Sequence, residues 1–280
     1  YFEENVYPVL TPMAVDASRP FPLIRNKTLN IAALLSKKNT KSEKQELDFA
    51  TVQVPGVLPR LVQIPSEEES VRSFILLEQI IEKNERENRV PTLLLHSCCA
   101  PCSSYCLEYL SNYFKITVFY YNPNIYPEEE YEKRVAEQQK FIEKLPVKYP
   151  IHFVEGAYEK ERFYEMAKGL EDCPEGGERC FLCYELRLRE AAELAKKMQM
   201  DYFTTTLSIS PLKNAEKLNE IGDALVEEYG IAYLNSDFKK KNGYKRSVEL
   251  SEQYGMYRQY YCGCVFSKNQ RDREIALKNQ

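Results

Sequence analysis

The chain has 280 residues, 44% of them apolar, and a formal net charge of −4. This supports a real core and excludes a surface that binds nucleic acid by overall charge, leaving that task to a local basic patch. No apolar run approaches the length of a membrane span and no secretory signal pattern is visible, so the expectation is a cytoplasmic protein with no membrane partner.

The chain opens on Tyr1 rather than Met, which reads as a truncated N-terminus. Residues 1–66 are rich in proline (Pro8, Pro12, Pro20, Pro22, Pro55, Pro59, Pro65) and contain no His or Cys. Within them Thr28–Leu35 has a helical pattern, with Leu29, Ala32, Ala33 and Leu35 apolar, while Phe49–Val54 alternates as a strand does. Glu67–Arg89 is charged, with Phe74, Leu77, Ile80 and Ile81 placed for one side of a helix. It reads as a helical junction.

From Val90 onward strands and helices alternate. Strands are expected at Thr92–His96, Lys115–Tyr121, Ile151–Val154, Asp201–Thr206 and Ile231–Leu234. Helices are expected at Cys102–Tyr113, from Pro127 to about Leu145, within Arg179–Met200, and at Lys213–Tyr229. Pro127 suits a first helical position, and Glu128, Glu129 and Glu130 suit the positive end of a helix dipole. The alternation predicts an α/β domain with a mostly parallel sheet flanked by helices.

All nine cysteines lie between Cys98 and Cys264. Their grouping favours metal or redox chemistry over a secreted disulfide framework. Cys98, Cys99 and Cys102 follow the first strand of the alternating region, where open parallel sheets collect ligands. Cys180 and Cys183 open the long helix, at a spacing that lets two thiolates reach one metal. With Cys98 and Cys99 they make four candidate ligands. Spacing does not choose between zinc and an iron–sulfur cluster, and Cys102 competes with Cys99.

Cys262 and Cys264 flank Gly263, and a disulfide between them would close a tight, strained ring of the labile or catalytic kind. Two further metal ligands is the alternative. Cys106 and Cys173 lack partners by spacing, and Cys106 reads as a helix-buried thiol. His96 reads as a core residue rather than a ligand. Asp172 and Glu175 flank the thiols and are candidate proton donors, against the commoner reading of solvated carboxylates. The loops Tyr121–Tyr126 and Leu207–Pro211 follow strands and suit either substrate binding or ordinary turns. Lys239, Lys240, Lys241, Lys245 and Arg246, interleaved with Phe238 and Tyr244, form a candidate patch for phosphates and bases, or a solvated loop.

Two resemblances follow from these motifs. Pro8-Val-Leu-Thr-Pro-Met-Ala-Val-Asp16, Arg19-Pro-Phe-Pro22 and Val57-Leu-Pro-Arg60 resemble part of polyphosphate kinase, without the regions that carry that family's catalytic histidines. No kinase activity is implied. From about residue 70, the chain resembles epoxyqueuosine reductase of the QueH type. The carrying residues are Leu93-Leu-Leu-His-Ser-Cys-Cys-Ala-Pro-Cys-Ser103, Tyr120-Tyr-Asn-Pro-Asn-Ile125, Glu178-Arg-Cys-Phe-Leu-Cys-Tyr184 and Tyr261-Cys-Gly-Cys264, with Thr204–Leu207 and Ser210-Pro211.

The second resemblance implies a fold related to adenine-nucleotide-binding (HUP-like) domains, without the glycine-rich ATP loop. It implies a [4Fe-4S] cluster on Cys98, Cys99, Cys180 and Cys183, a redox-active pair at Cys262 and Cys264, and a substrate tRNA carrying epoxyqueuosine. The reaction implied is the last step of queuosine synthesis, with electrons from an external donor that the sequence does not name. A tRNA-thiolating enzyme is the first alternative, but Cys98–Cys102 stands where its ATP loop belongs. A zinc module that binds RNA is the second, and it would be colourless where a cluster is brown.

Overall fold

The computed structural model describes residues 89–240 and 242–278, with Asn84, Arg86, Glu87 and the backbone of five earlier strands. The chain divides into two compact units, residues 1–59 and 60–280. In the first, β1 (Pro12–Val15), β2 (Leu29–Ser36) and β3 (Leu47–Val54) form an antiparallel sheet in the order β1-β3-β2. The strand expected at Phe49–Val54 is β3. The helix expected at Thr28–Leu35 is instead β2. Its apolar residues 29, 31, 33 and 35 also satisfy a period of two, and continuous pairing with β3, from Leu29 opposite Val54 to Ser36 opposite Leu47, decides between the periods.

The second unit opens with the antiparallel pair β4 (Leu61–Ile64) and β5 (Ser73–Leu76). Within the stretch read as a helical junction, Phe74 therefore lies on a strand, while Leu77, Ile80 and Ile81 lie outside the described residues.

The remainder is an α/β fold. Its strands are β6 (Thr92–His96), β7 (Lys115–Tyr120), β8 (His152–Glu155), β9 (Tyr202–Thr205) and β10 (Ala232–Tyr233). All pair in parallel, in the order β10-β9-β6-β7-β8. Seven helices flank them among the described residues: α1 (Ala100–Leu110), α2 (Glu128–Lys144), α3 (Lys160–Ala167), α4 (Glu178–Lys197), α5 (Ala215–Tyr229), α6 (Gly243–Gln253) and α7 (Val265–Lys278).

The sheet is covered on both faces, which is why its central strand β6 carries the unbroken apolar run Leu93–Leu95. Leu93 and Leu95 pack with Leu107 and Leu110 of α1 and Phe141 of α2. Leu94, pointing the other way, packs with Leu188, Ala191 and Ala195 of α4 and with Leu225 of α5. Each of these fully buried leucines contributes about 1.5–3 kcal/mol.

The chain order along the sheet reverses beside β6. From β6 it runs outward through β7 to β8, then returns past β6 to β9 and β10. The carboxyl ends of β6 and β9 thus form a topological switch point, where helices leave in opposite directions and a crevice opens. The turn after β6 carries Cys98 and Cys99, and the turn after β9 carries Thr206.

Candidate active site

Each thiol segment is positioned by its own local structure. After β6, Gln138 of α2 accepts hydrogen bonds from Ser97 Oγ (2.7 Å) and Ser103 Oγ (2.9 Å), clamping both sides of the turn that holds Cys98 and Cys99. Pro101 sits in the first turn of α1. The sulfurs of Cys98, Cys99 and Cys102 all lie within 4.8 Å of one another. Hydrogen bonds from Cys102 and Cys98 hold the Cys99 thiol well below the usual range, and the same crowding drives Cys102 well above it. A second or third thiolate at this separation would be repelled by the first, and a bound cation would relieve that repulsion.

At the head of α4 the Cys180 sulfur accepts the Gly176 N–H at 3.2 Å. Burial raises both Cys180 and Cys183, the latter to about 12. Cys183 packs with Cys264 and Phe163, so the structure brings the two α4 thiols beside the Cys262–Cys264 loop rather than into the three-sulfur group. All nine cysteines are free thiols. Cys106 is fully buried in α1, as its place in the helix predicts, and Cys173 is half-buried between α3 and α4.

The Cys262–Cys264 loop is held from the side of the Tyr121–Tyr126 loop. Tyr126 N–H donates to Gly263 O (2.8 Å), Tyr261 O–H donates to Tyr126 O (2.6 Å), and the buried Arg134 donates to Cys262 O (3.3 Å). Gly263 has φ +139°, in the region that favours glycine. The Cys264 sulfur accepts the Ser267 N–H (3.4 Å) at the start of α7, in the manner of a helix cap.

His96 is enclosed between Thr205 Oγ1 (2.9 Å) and Tyr121 O (3.1 Å). Burial lowers its pKa to about 4, so it is neutral and structural. Thr206 meets Cys98 through its hydroxyl (3.4 Å to the backbone nitrogen).

Cys98, Cys102 and Cys262 line one cleft of about 160 Å³ at the switch point, with Lys213 and Glu175 on its walls. Glu175 carries a buried Oε1 with no hydrogen-bond partner, and Asp172, the other acid considered, is exposed. Within the basic run, Tyr244 and Lys245 are exposed while other members have partners in the chain. Phe238 is buried. Lys239 turns inward to Ser208 O (3.0 Å) and Lys213 O (3.2 Å), and Arg246 pairs with Glu108 and Glu249. Lys241 lies outside the described residues.

Residues 93–270 match the family described as epoxyqueuosine reductase QueH. The chain belongs to the epoxyqueuosine reductase QueH family. It is 43% identical to the epoxyqueuosine reductase QueH of Streptococcus pyogenes serotype M1, over 72% of this chain and 80% of that one. It is 42% identical to the enzyme of that name from Staphylococcus aureus, over 73% and 87%, and 36% identical to that of Thermotoga maritima, over 67% and 97%. Residues 1–87 match the polyphosphate kinase middle domain.

The gathered sulfurs of Cys98, Cys99 and Cys102 are compatible with a bound metal, whereas Cys180 and Cys183 stand outside that group. Besides the three gathered sulfurs, two buried cations, Lys213 and Arg187, face the thiols with no carboxylate partner among the described residues. Lys213 Nζ donates to Cys262 Sγ at 2.9 Å, and Arg187 donates to Cys183 O (3.1 Å) and Asn122 Oδ1 (3.3 Å). Buried positive charge without a carboxylate calls for an anionic occupant, which a thiolate cluster supplies. Neither residue follows from the cysteine spacing. Arg187 had a signal, since it sits four residues after Cys183 on a helical face otherwise made of Tyr184, Leu188 and Ala191.

Proposed function

We propose that the chain reduces epoxyqueuosine to queuosine in tRNA. The observation that carries this reading is the convergence of Cys98, Cys102 and Cys262 on one cleft, with Lys213 against Cys262. Removing the epoxide oxygen breaks two C–O bonds, forms a C=C bond, and consumes two electrons and two protons as water leaves. Oxidation of the Cys262 and Cys264 thiols to a disulfide releases two electrons and two protons, so the exchange balances, and an external reductant restores the dithiol. A [4Fe-4S] cluster on Cys98, Cys99, Cys180 and Cys183 would supply single-electron transfer beside the cleft.

The chain's own groups divide the remaining work. Lys213 sets a positive charge at the Cys262 sulfur. Burial pulls this lysine down, but the Cys262 sulfur carries it well above the ordinary lysine range, so it stays an ammonium. Glu175 is the one acidic side chain on the cleft wall among the described residues, which makes it the candidate to relay a proton to the leaving oxygen. Arg134 and the Tyr121–Tyr126 loop keep the two redox thiols in place.

A second ligand set is favoured by one observation: the Cys102 sulfur lies with those of Cys98 and Cys99. Iron and sulfide are to be counted after anaerobic reconstitution of Cys102→Ser, Cys180→Ser, Cys183→Ser and Cys262→Ser. The main reading expects loss of iron from the Cys180 and Cys183 variants alone. Loss from Cys102→Ser with retention in Cys180→Ser supports the second set. Stoichiometric zinc and no iron uptake by the wild type refutes both.

A further inference from the structure

The mouth of the cleft differs from the rest of the surface. Leu212 (53% exposed), Tyr244 (41%) and Tyr260 (51%) all line it. Large apolar side chains left in water around one opening mark a contact surface. The charge there is reversed relative to the chain's net −4: Lys213, Arg258 and Arg271 line the cleft against a single acidic residue, Glu175.

The rim is also held in place. Arg258 Nη1 donates to Ser251 Oγ (2.9 Å) and Ser247 O (3.3 Å) of α6, and its guanidinium lies 5.9 Å from the Tyr244 ring. It has no carboxylate partner among the described residues. Tyr260 O–H donates to Asp272 of α7 (3.0 Å), and its ring lies 5.2 Å from that of Tyr261. Arg271 pairs with Glu274 one turn along α7 (2.7 Å), a half-buried contact for which a phosphate can compete.

We propose that Tyr244, Tyr260, Arg258 and Arg271 form a stacking platform for the unpaired nucleotides that flank the modified base. The ligand class rests on the tRNA-reductase reading above. Exposed rings offer faces to splayed bases, and the two guanidinium groups take the phosphates between them. A duplex keeps its bases stacked on one another and presents nothing to these rings. The platform therefore reads a single-stranded loop.

The test uses the full chain and two RNAs, an anticodon stem-loop and the same loop sequence annealed into a duplex. Affinities are measured across a salt series for wild type, Tyr260→Leu, Tyr260→Phe and Arg271→Ala. Tyr260→Leu is expected to weaken stem-loop binding by about fivefold to a hundredfold, the effect of losing one base–aromatic stack, with Tyr260→Phe restoring it. Arg271→Ala is expected to lower the log–log salt slope by about 0.7.

Wild-type affinity in Tyr260→Leu together with an unchanged slope in Arg271→Ala overturns the platform, as does equal affinity of the wild type for loop and duplex. The variant effects on binding in a protein that fails to reduce epoxyqueuosine tRNA would support the platform while refuting the reductase reading. Normal reduction with no variant effect on binding would do the reverse.

Discussion

The ammonium of Lys213 lies 2.9 Å from the sulfur of Cys262, and both face the cleft that opens between the ends of β6 and β9. Their elements are set independently. Asn214 caps α5 by accepting the Lys217 N–H (3.0 Å), which fixes the residue before it, and the Tyr121–Tyr126 loop fixes the residue after Cys262. Lys213→Met removes the charge and keeps the bulk, so the Cys262 sulfur loses the ammonium that donates to it. Its alkylation rate at neutral pH should fall measurably, because the reactive sulfur loses a neighbouring positive charge. Peptide mapping after a timed iodoacetamide pulse measures this. A rate equal to wild type would show that the lysine does not act on the thiol.

Gly263 is the second point of control. A Cβ there would meet Arg134 Nη1 at 3.1 Å, Ile125 at 3.2 Å and Asn124 at 3.3 Å, on a backbone already at φ +139°. Gly263→Ala should cost about 1–3 kcal/mol in urea denaturation. It should also reduce turnover more than tenfold while iron content stays at the wild-type level. Unchanged turnover would mean that the placement of the two thiols is not demanding.

Glu175→Gln preserves shape and removes the group that can relay a proton. Turnover should fall by about 10²–10⁴, the usual contribution of a general acid, with tRNA affinity unchanged. A fall below threefold would assign the proton to another group.

The parallel sheet was legible because Leu93–Leu95 is an apolar run and Ile116–Tyr120 is mostly apolar and β-branched, with a helix between them. The Cys180 helix was legible from its charge pattern, Glu178 in the first turn and Lys196 and Lys197 in the last. Three helices were not. α3 is only eight residues long, α7 starts one residue after Cys264 where the thiols dominate the pattern, and α6 begins inside the basic run that read as a loop. For the site, the sequence pointed to the thiols but not to the lysine between them. Lys213 and Cys262 are 49 residues apart, and their contact exists only in the fold. The basic run was only partly legible for the same reason, since Lys239 and Arg246 have partners within the chain that a local pattern does not reveal.

Residues 1–59 form their own compact unit and contain no cysteine. A chain beginning at residue 60 keeps β4 and β5 and should match the full chain in iron content and turnover within about twofold, a difference of under half a kcal/mol. A truncated protein that binds its iron but does not turn over would give the first unit a part in the reaction.

The central claim is tested most directly by single-turnover reduction. The full chain is reconstituted anaerobically, reduced, separated from excess reductant, and mixed with tRNA carrying epoxyqueuosine. Nucleosides are then analysed by mass spectrometry. The account predicts queuosine from the wild type, and none from Cys262→Ser at equal iron content. An iron-replete wild type that forms no queuosine, or a Cys262→Ser variant that forms it at the wild-type rate, would contradict the account.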